Sequence, residues 1–435
     1  MRGTLASIAV LILAAGCVNS TDAPLVAEQS TADIEEIPSR TTYLRDPVLA
    51  GTPIADAVRA AILGGPTLRA GRAGEAAAAA RVEEARSALR PSINLGVTAG
   101  LGTAVSSDVS PTTRLSQRIF DGSATQTRIL AAETRADAAA SDTALRVTDR
   151  TLQALAAWEE LHTARVLQGI ARSSVARNDE LSSRIERLLA AGAGRTADSL
   201  RATARQADAR ATLASAEGRV AEAEARAREI FGMLPTPGPL PRAPEPAFSG
   251  RASEALRALS SELEAARADL ASRTAERAPT VFLDLIGGLD SGNDPSVGAA
   301  IRFDYALGTG GQREAAVRAA EAEVSRLEAE LALLDSDIER ALASAAARDA
   351  SLARERAAAR EAETAAAQAL EDAERGFESG RVDSLDLLDL GRDLDRAAAR
   401  HAEIAAAHRF AGFERLALAG ELLDVLGMDP GSVGP

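Results

Sequence analysis

The chain of 435 residues contains no lysine; all 49 of its basic residues are arginine. That excludes both a P-loop lysine and a Schiff-base lysine. Its one cysteine, Cys17, excludes an internal disulfide. Aromatic residues make up 3% of the chain, low for a globular enzyme. No stretch beyond the N-terminus approaches the roughly 18 apolar residues that a transmembrane helix requires. The net charge of −14, with no concentrated basic patch, argues against a nucleic-acid partner. No nucleophile–base constellation and no cofactor motif emerges. Gly308-Thr309-Gly310-Gly311 has no following lysine and reads as a turn rather than a phosphate loop. His401 and His408 share a helix face but lack the third ligand of a metal site. Trp158, the only tryptophan, reads as a packing residue.

Proline is the most informative absence. Residues 112–234 and 296–429 contain none. Proline inside a helix costs about 3 kcal/mol, so these runs permit very long helices. Both are rich in Ala, Arg, Glu, Asp and Leu. In the second, Val317, Val324, Leu327, Leu331, Leu334 and Ile338 are spaced 7, 3, 4, 3 and 4. Ala341, Ala345 and Leu352 continue the seam. This is the heptad pattern of helices packed side by side. A helix of roughly 65 residues is about 100 Å long, a length suited to a rod, a tube or a bridge.

What is present at the N-terminus is a targeting segment. Arg2 is a short positive region and residues 5–15 are apolar, too short to span a bilayer. Leu13-Ala14-Ala15-Gly16-Cys17 resembles a bacterial lipobox, in which the cysteine becomes the lipidated first residue of the mature chain. The alternative is an ordinary cleaved signal in which Cys17 is incidental. Val18 and Asn19 follow, and the absence of aspartate at the second mature position fits delivery to the outer membrane by resemblance to lipoprotein sorting.

The expected organisation is a signal peptide at 1–16, a proline-punctuated tether at 17–53, a first structural repeat at 54–234, a linker at 235–247, a second repeat at 248–428 and a tail at 429–435. The linker holds six prolines between Pro235 and Pro246 and reads as stiff. Within the first repeat a helix broken near Gly64-Gly65-Pro66 stops at Pro91. Ile93, Leu95, Val97, Ala99 and Leu101 then alternate with small or polar residues, the period of a strand. Residues 106–111 are turn-like, and Thr113, Leu115, Gln117 and Ile119 form a second strand. A long helix follows to about Ala191, then a break at Gly192-Ala193-Gly194-Arg195, then a helix to Phe231. The second repeat reads the same way: a helix over 252–277, a strand through Val281, Leu283 and Leu285, and a turn at 287–295. A strand through Val297, Ile301, Phe303 and Tyr305 follows, then the heptad helix, a break at Gly380-Arg381-Val382 and a helix to about Leu426. Pro91 and Pro279 are 188 apart, and Gly194 and Gly380 are 186 apart. Two nearly equal offsets at distant landmarks point to an internal duplication. Each strand is about ten residues long, enough to cross a bilayer in a tilted barrel; the alternative is a small soluble hairpin on a helical rod.

This order resembles the TolC-like outer membrane efflux protein family over about 54–428. Its marks are Leu89-Arg90-Pro91-Ser92-Ile93, Ser116-Gln117-Arg118-Ile119-Phe120-Asp121-Gly122, Ala190-Ala191-Gly192 with Asp198, and Phe377-Glu378-Ser379-Gly380-Arg381-Val382 with Asp386-Leu387-Leu388-Asp389. The resemblance implies a mainly α fold with a membrane β-barrel, in which a homotrimer closes one twelve-stranded barrel above an α-helical tunnel. Four strands cannot close a barrel alone and open edges cannot face lipid, so the strand reading itself requires oligomerisation. The resemblance further implies a passive efflux duct, without cofactor or metal, that works with a periplasmic adaptor protein and an inner-membrane transporter. Asp386 and Asp389 match the aspartates of the tunnel constriction; helix-dipole compensation is the competing account of acids near a helix start. Gly192, Gly194, Arg195, Gly380, Arg381 and Val382 match the tip that meets the adaptor, or serve only as helix caps. Barrel girdles usually carry aromatics, and here Phe282, Phe303 and Tyr305 are nearly all the strands offer. The competing class is a periplasmic coiled-coil adaptor or scaffold without a pore, and an enzyme is a distant third.

Overall fold

The computed structural model describes residues 46–99, 109–192, 194–248, 250, 252–289, 295–379 and 381–428. Cys17, the signal and tether up to residue 45, Gly380 and the tail at 429–435 lie outside the described residues.

The first half begins with α1 (Pro53–Leu63), whose proline occupies the first turn and whose Thr52 Oγ1 accepts the Ala55 N–H at 3.3 Å. It continues with α2 (Pro66–Ser87), β1 (Ser92–Ala99), β2 (Val109–Phe120), α3 (Ala124–Ala190) and α4 (Thr196–Phe231). The second half comprises α5 (Glu254–Ala275), β3 (Thr280–Leu289), β4 (Pro295–Asp304), α6 (Gln312–Glu378), α7 (Ser384–Ala419) and the single turn α8 (Leu422–Val425). Helices α2 and α5 both have 22 residues, α3 and α6 both 67, and α4 and α7 both 36. Their starts, Pro66 and Glu254, Ala124 and Gln312, Thr196 and Ser384, are each 188 residues apart. At 1.5 Å per residue, α3 and α6 are each about 100 Å long.

The four strands form one antiparallel sheet in the order β1-β2-β3-β4. The helices repeat this order. Near the sheet, α3 binds α2 through Arg86–Glu133 (2.6 Å) and α5 through Arg128–Glu276 and Arg135–Asp269, and α5 binds α6 through Arg267–Glu328 (2.8 Å). Away from the sheet, α3 pairs with α4 through Arg165–Glu224 (3.2 Å) and with α7 through Arg177–Asp395, and α6 pairs with α7 through Arg415–Asp349 (2.9 Å). Thus α3 and α6 run the full length, and shorter helices fill each half.

The heptad residues Val317, Leu327, Leu331 and Ile338 are buried, as their spacing requires. On α4 the seam is alanine: Ala202, Ala209, Ala216 and Ala223 recur every seven residues and all are buried. Small side chains let two helix axes approach closely while keeping one stripe in register. The largest apolar cluster lies at the waist. There Val58 and Ile62 of α1, Leu155 and Trp158 of α3, Ile230 of α4, Phe413 and Leu416 of α7, and Leu422 meet.

The proline-rich segment is strapped to this waist by polar contacts. Trp158 Nε1 donates to the Gly238 carbonyl (2.8 Å), and the buried Glu159 accepts the Leu240 N–H (2.8 Å) while pairing with Arg409. Glu421, fully buried, accepts the N–H groups of Ala247 (2.8 Å) and Phe248 (2.7 Å). Prolines leave few N–H groups in such a segment; these buried carboxylates meet three of those that remain.

Three boundaries differ from expectation. β2 takes in Ser110 and Pro111. Pro111 pairs with Val97 of β1 and lies beyond the last β2 residue paired with β3, where a missing N–H is tolerated. β3 continues through Gly287, Gly288 and Leu289, and Pro295 opens β4, because the ladder runs on through Gly288↔Ser296 and Leu289↔Pro295. The last helix does not reach Leu426. It ends at Ala419, where Gly420 adopts φ +79° with the Ala252 carbonyl oxygen 2.2 Å from where a Cβ would stand. Gly420→Ala therefore combines left-handed strain with a backbone clash, and is expected to lower stability by about 3 kcal/mol or more. Thermal unfolding of the purified protein checks this; an unchanged midpoint would count against the corner's rigidity.

Candidate functional site

Two regions carry the functional geometry: the sheet, and the paired turns at the far ends of α3 and α6. Registers assign the sheet's two faces. One face carries Ile93, Leu95 and Val97 of β1, Thr113, Leu115 and Gln117 of β2, Leu283 and Leu285 of β3, and Val297, Ala299, Ile301 and Phe303 of β4. It is apolar and uncovered: Leu95 is 77% exposed, Val297 86% and Phe303 70%. The other face carries Asn94, Thr112, Arg114, Ser116, Arg118, Asp284, Ser296 and Arg302. Such a segregation with period 2, apolar on one face and polar on the other, is what a sheet dividing lipid from water requires. β1 and β4 each have one strand neighbour and one open edge within the chain.

Of the few strand aromatics, Phe282 does not join the apolar face. Its register with Arg118 and Arg302 puts it on the polar face. The Arg302 guanidinium lies 4.2 Å from its ring centroid and that of Arg118 5.6 Å, so the ring serves as a cation platform. Phe303, on the apolar face, and Tyr305, just past β4, remain exposed.

At the helical end, α3 closes through Gly192, with φ +72°. A Cβ on Gly194 would stand 2.8 Å from the Leu189 nitrogen, so only glycine lets the turn fold back so closely. Arg195 precedes α4 as its cap residue and donates from Nε to Asp198 Oδ2 (3.3 Å). Its Nη2 also reaches Asp383 Oδ2 (3.2 Å), the cap residue of α7, and so joins the two turns. Arg381 donates its N–H to the Gly376 carbonyl (2.9 Å), and Val382 packs with Leu370, Ala373 and Leu387. Ile185, Ala202 and Leu388 form a second small cluster, and Leu181 of α3 packs against both.

Asp386 and Asp389 lie on the exposed side of α7's first turns. Asp389 accepts from Arg205 Nη2 of α4 (2.9 Å), with Arg392 at 3.6 Å. Asp386 makes no ion pair among the described residues. Arg205 had no local sequence signal, since arginine is everywhere in these helices; Asp383 had one, as an acid at a helix start, but its pairing with Arg195 did not. His401 and His408 do not face each other; His401 Nδ1 meets Glu363 (2.5 Å) and His408 Nε2 meets Asp349 (3.5 Å). Among the described residues no helix is long and apolar enough to cross a membrane, which says nothing of strands.

Known proteins share this arrangement. The profile of the family described as outer membrane efflux protein matches residues 57–233. The outer membrane efflux protein BepC of Brucella suis biovar 1 (strain 1330) is 25% identical over 347 residues, 75% of this chain and 76% of that protein. The CmeC outer membrane channel of Campylobacter jejuni superposes with a TM-score of 0.76 at 12% identity, covering 87% of this chain and 88% of CmeC. The outer membrane protein VceC of Vibrio cholerae gives 0.73 at 16% identity, covering 86% and 96%. Residues 57–233 thus match the outer membrane efflux protein family, and over most of its length the chain shares the fold of solved outer membrane channels.

Proposed function

We propose that this protein is the outer membrane channel of a tripartite efflux system, a passive exit duct for small molecules. One observation carries the reading: a four-stranded sheet with an exposed apolar face, a polar face and two open edges, continuous with helices about 100 Å long. Unpaired strand edges in hydrocarbon cost several kcal/mol per orphaned group. A homotrimer that joins β4 of one protomer to β1 of the next removes every edge and gives a twelve-stranded barrel in outer membrane lipid. The helices of three chains then continue as a periplasmic tunnel. Cys17 supplies the lipid anchor in this reading. The turns at Gly192, Gly194 and Arg195 and at Gly380, Arg381 and Val382 meet a periplasmic adaptor, which couples the duct to an inner-membrane transporter. Asp386 and Asp389 line the constriction. Three chains place six carboxylates around one axis; Arg205 offsets Asp389 in each chain, so the three Asp386 carboxylates carry most of the ring's attraction for cations and its resistance to narrowing.

Purified protein in a planar bilayer is expected to conduct; a folded trimer without conductance would remove the channel reading. Asp386→Asn with Asp389→Asn is expected to lower the potassium-over-chloride permeability ratio, and an unchanged ratio would remove only the constriction assignment. At the tip, Arg195 is largely exposed in both its ion pairs, so Arg195→Ala is expected to shift stability by less than about 1 kcal/mol. An exposed Arg381→Cys should capture a periplasmic adaptor with a maleimide cross-linker in cells, and capture of sibling subunits alone would count against adaptor contact. Mass spectrometry of the mature N-terminal peptide should find Cys17 diacylated; a free thiol there would leave the protein without its anchor.

A further inference from the structure

The polar face of the sheet carries Arg114 and Arg118 on β2, Asp284 on β3, and Arg302 and Asp304 on β4. Four of these five are occupied with one another or with the base of the sheet. Arg302 Nε donates to Asp284 Oδ2 (3.0 Å) and its Nη1 binds Asp304. Asp284 also accepts from Ser116 Oγ (2.6 Å) and is only 2% exposed. Arg118 Nη1 donates to Thr125 Oγ1 (2.6 Å) and to Asp121 Oδ2 (3.3 Å), where β2 turns into α3. Both carboxylates of this face are therefore engaged.

Arg114 stands apart. It is exposed, its cross-strand neighbours are the uncharged Asn94 and Ile286, and no ion pair or hydrogen bond reaches it among the described residues. Gly298 lies level with it, and further toward the hairpin turns the described part of this face holds Gly96, Thr98, Ser110, Thr112, Gly288 and Ser296, all small and uncharged. In that direction nothing described offers it a counter-charge; toward the base of the sheet its nearest one is Asp284, diagonally across, which Ser116 and Arg302 already bind and which Arg114 reaches only through space. Arg114 lies four residues, about 13 Å, along the strand from Arg118, beyond one screening length at physiological salt.

We propose that Arg114 forms a cationic collar in the barrel lumen that binds anionic solutes in transit, those bearing carboxylate, sulfonate or phosphate groups. The proposal rests on the channel reading: three protomers bring three such arginines to one level of one lumen. A guanidinium presents two parallel N–H donors to an oxyanion. The positions of the charges give the duct opposite polarity at its two ends. Exposed carboxylates stand at the tip, and within the barrel lies an arginine that no carboxylate binds directly among the described residues. An anion admitted past the tip therefore meets its attractive site near the exit.

The test uses the full-length protein in planar bilayers, with inorganic tripolyphosphate as the probe. It is made in an Asp386→Asn/Asp389→Asn background, so that the tip does not mask the barrel. The parent channel is expected to show concentration-dependent block. Arg114→Gln should raise the half-blocking concentration by about threefold or more, the scale of an exposed charge contact. Arg114→Lys should keep most of the block, and unitary conductance should be retained in both variants. Equal block in the parent and in Arg114→Gln, with conductance intact, would overturn the collar and leave the channel reading standing. Absence of conductance in every variant, the parent included, would overturn the channel reading and the collar with it.

Discussion

Every backbone N–H and C=O that leaves water must find a partner. In this chain that requirement falls hardest on the outer edges of β1 and β4, which have strand neighbours on one side only. The apolar face beside them makes water an unfavourable surrounding for the sheet, and the open edges make lipid equally unfavourable for a lone chain. In the proposed channel, closure by further copies satisfies both, and the oligomer is then the condition for the sheet to sit in lipid.

Below the sheet the energetic character changes. The long helices bury mostly alanine and scattered leucine, with arginine–carboxylate pairs along their flanks. Each exposed pair contributes little, about 0–1 kcal/mol. The density of apolar contact is at the waist, where α1, α8 and the proline-rich segment close over the middle of α3 and the end of α7. The buried carboxylates of Glu159 and Glu421 hold that segment by its N–H groups. A firm girdle with looser rods beyond it leaves the tip as the place where helices can move at low cost, consistent with the small separate clusters that hold the turns there.

Much of this was legible from residue order. Proline-free runs marked the long helices, glycines marked their ends, period-2 alternation marked the strands, and the near-constant offset marked the duplication. What escaped was non-local. Gly287 and Gly288 read as a turn because glycine has low strand preference, yet two neighbouring strands supply the ladder that keeps them extended. The role of Phe282 was not legible because its partners, Arg118 and Arg302, are set by strand pairing rather than by sequence neighbourhood. Gly420 ends α7 on account of a carbonyl well over a hundred residues earlier. The pairing of Arg205 with Asp389 is invisible in a chain where both residue types recur in every turn.

The equal lengths of the corresponding helices in the two halves limit how such a chain can change over evolutionary time. Adding one residue inside α4 would turn everything beyond it by about 100° and advance it by about 1.5 Å, swinging the alanine stripe of Ala202, Ala209, Ala216 and Ala223 away from α3. The same addition would leave α7 shorter than its counterpart, and the two turns joined by Arg195 and Asp383 would no longer lie level. Insertions and deletions are thus confined to the hairpin and helix turns, or must arrive in matched multiples of a heptad in both halves. Relatives of this protein should accordingly diverge freely in side chains while their rods keep a common calibre and reach.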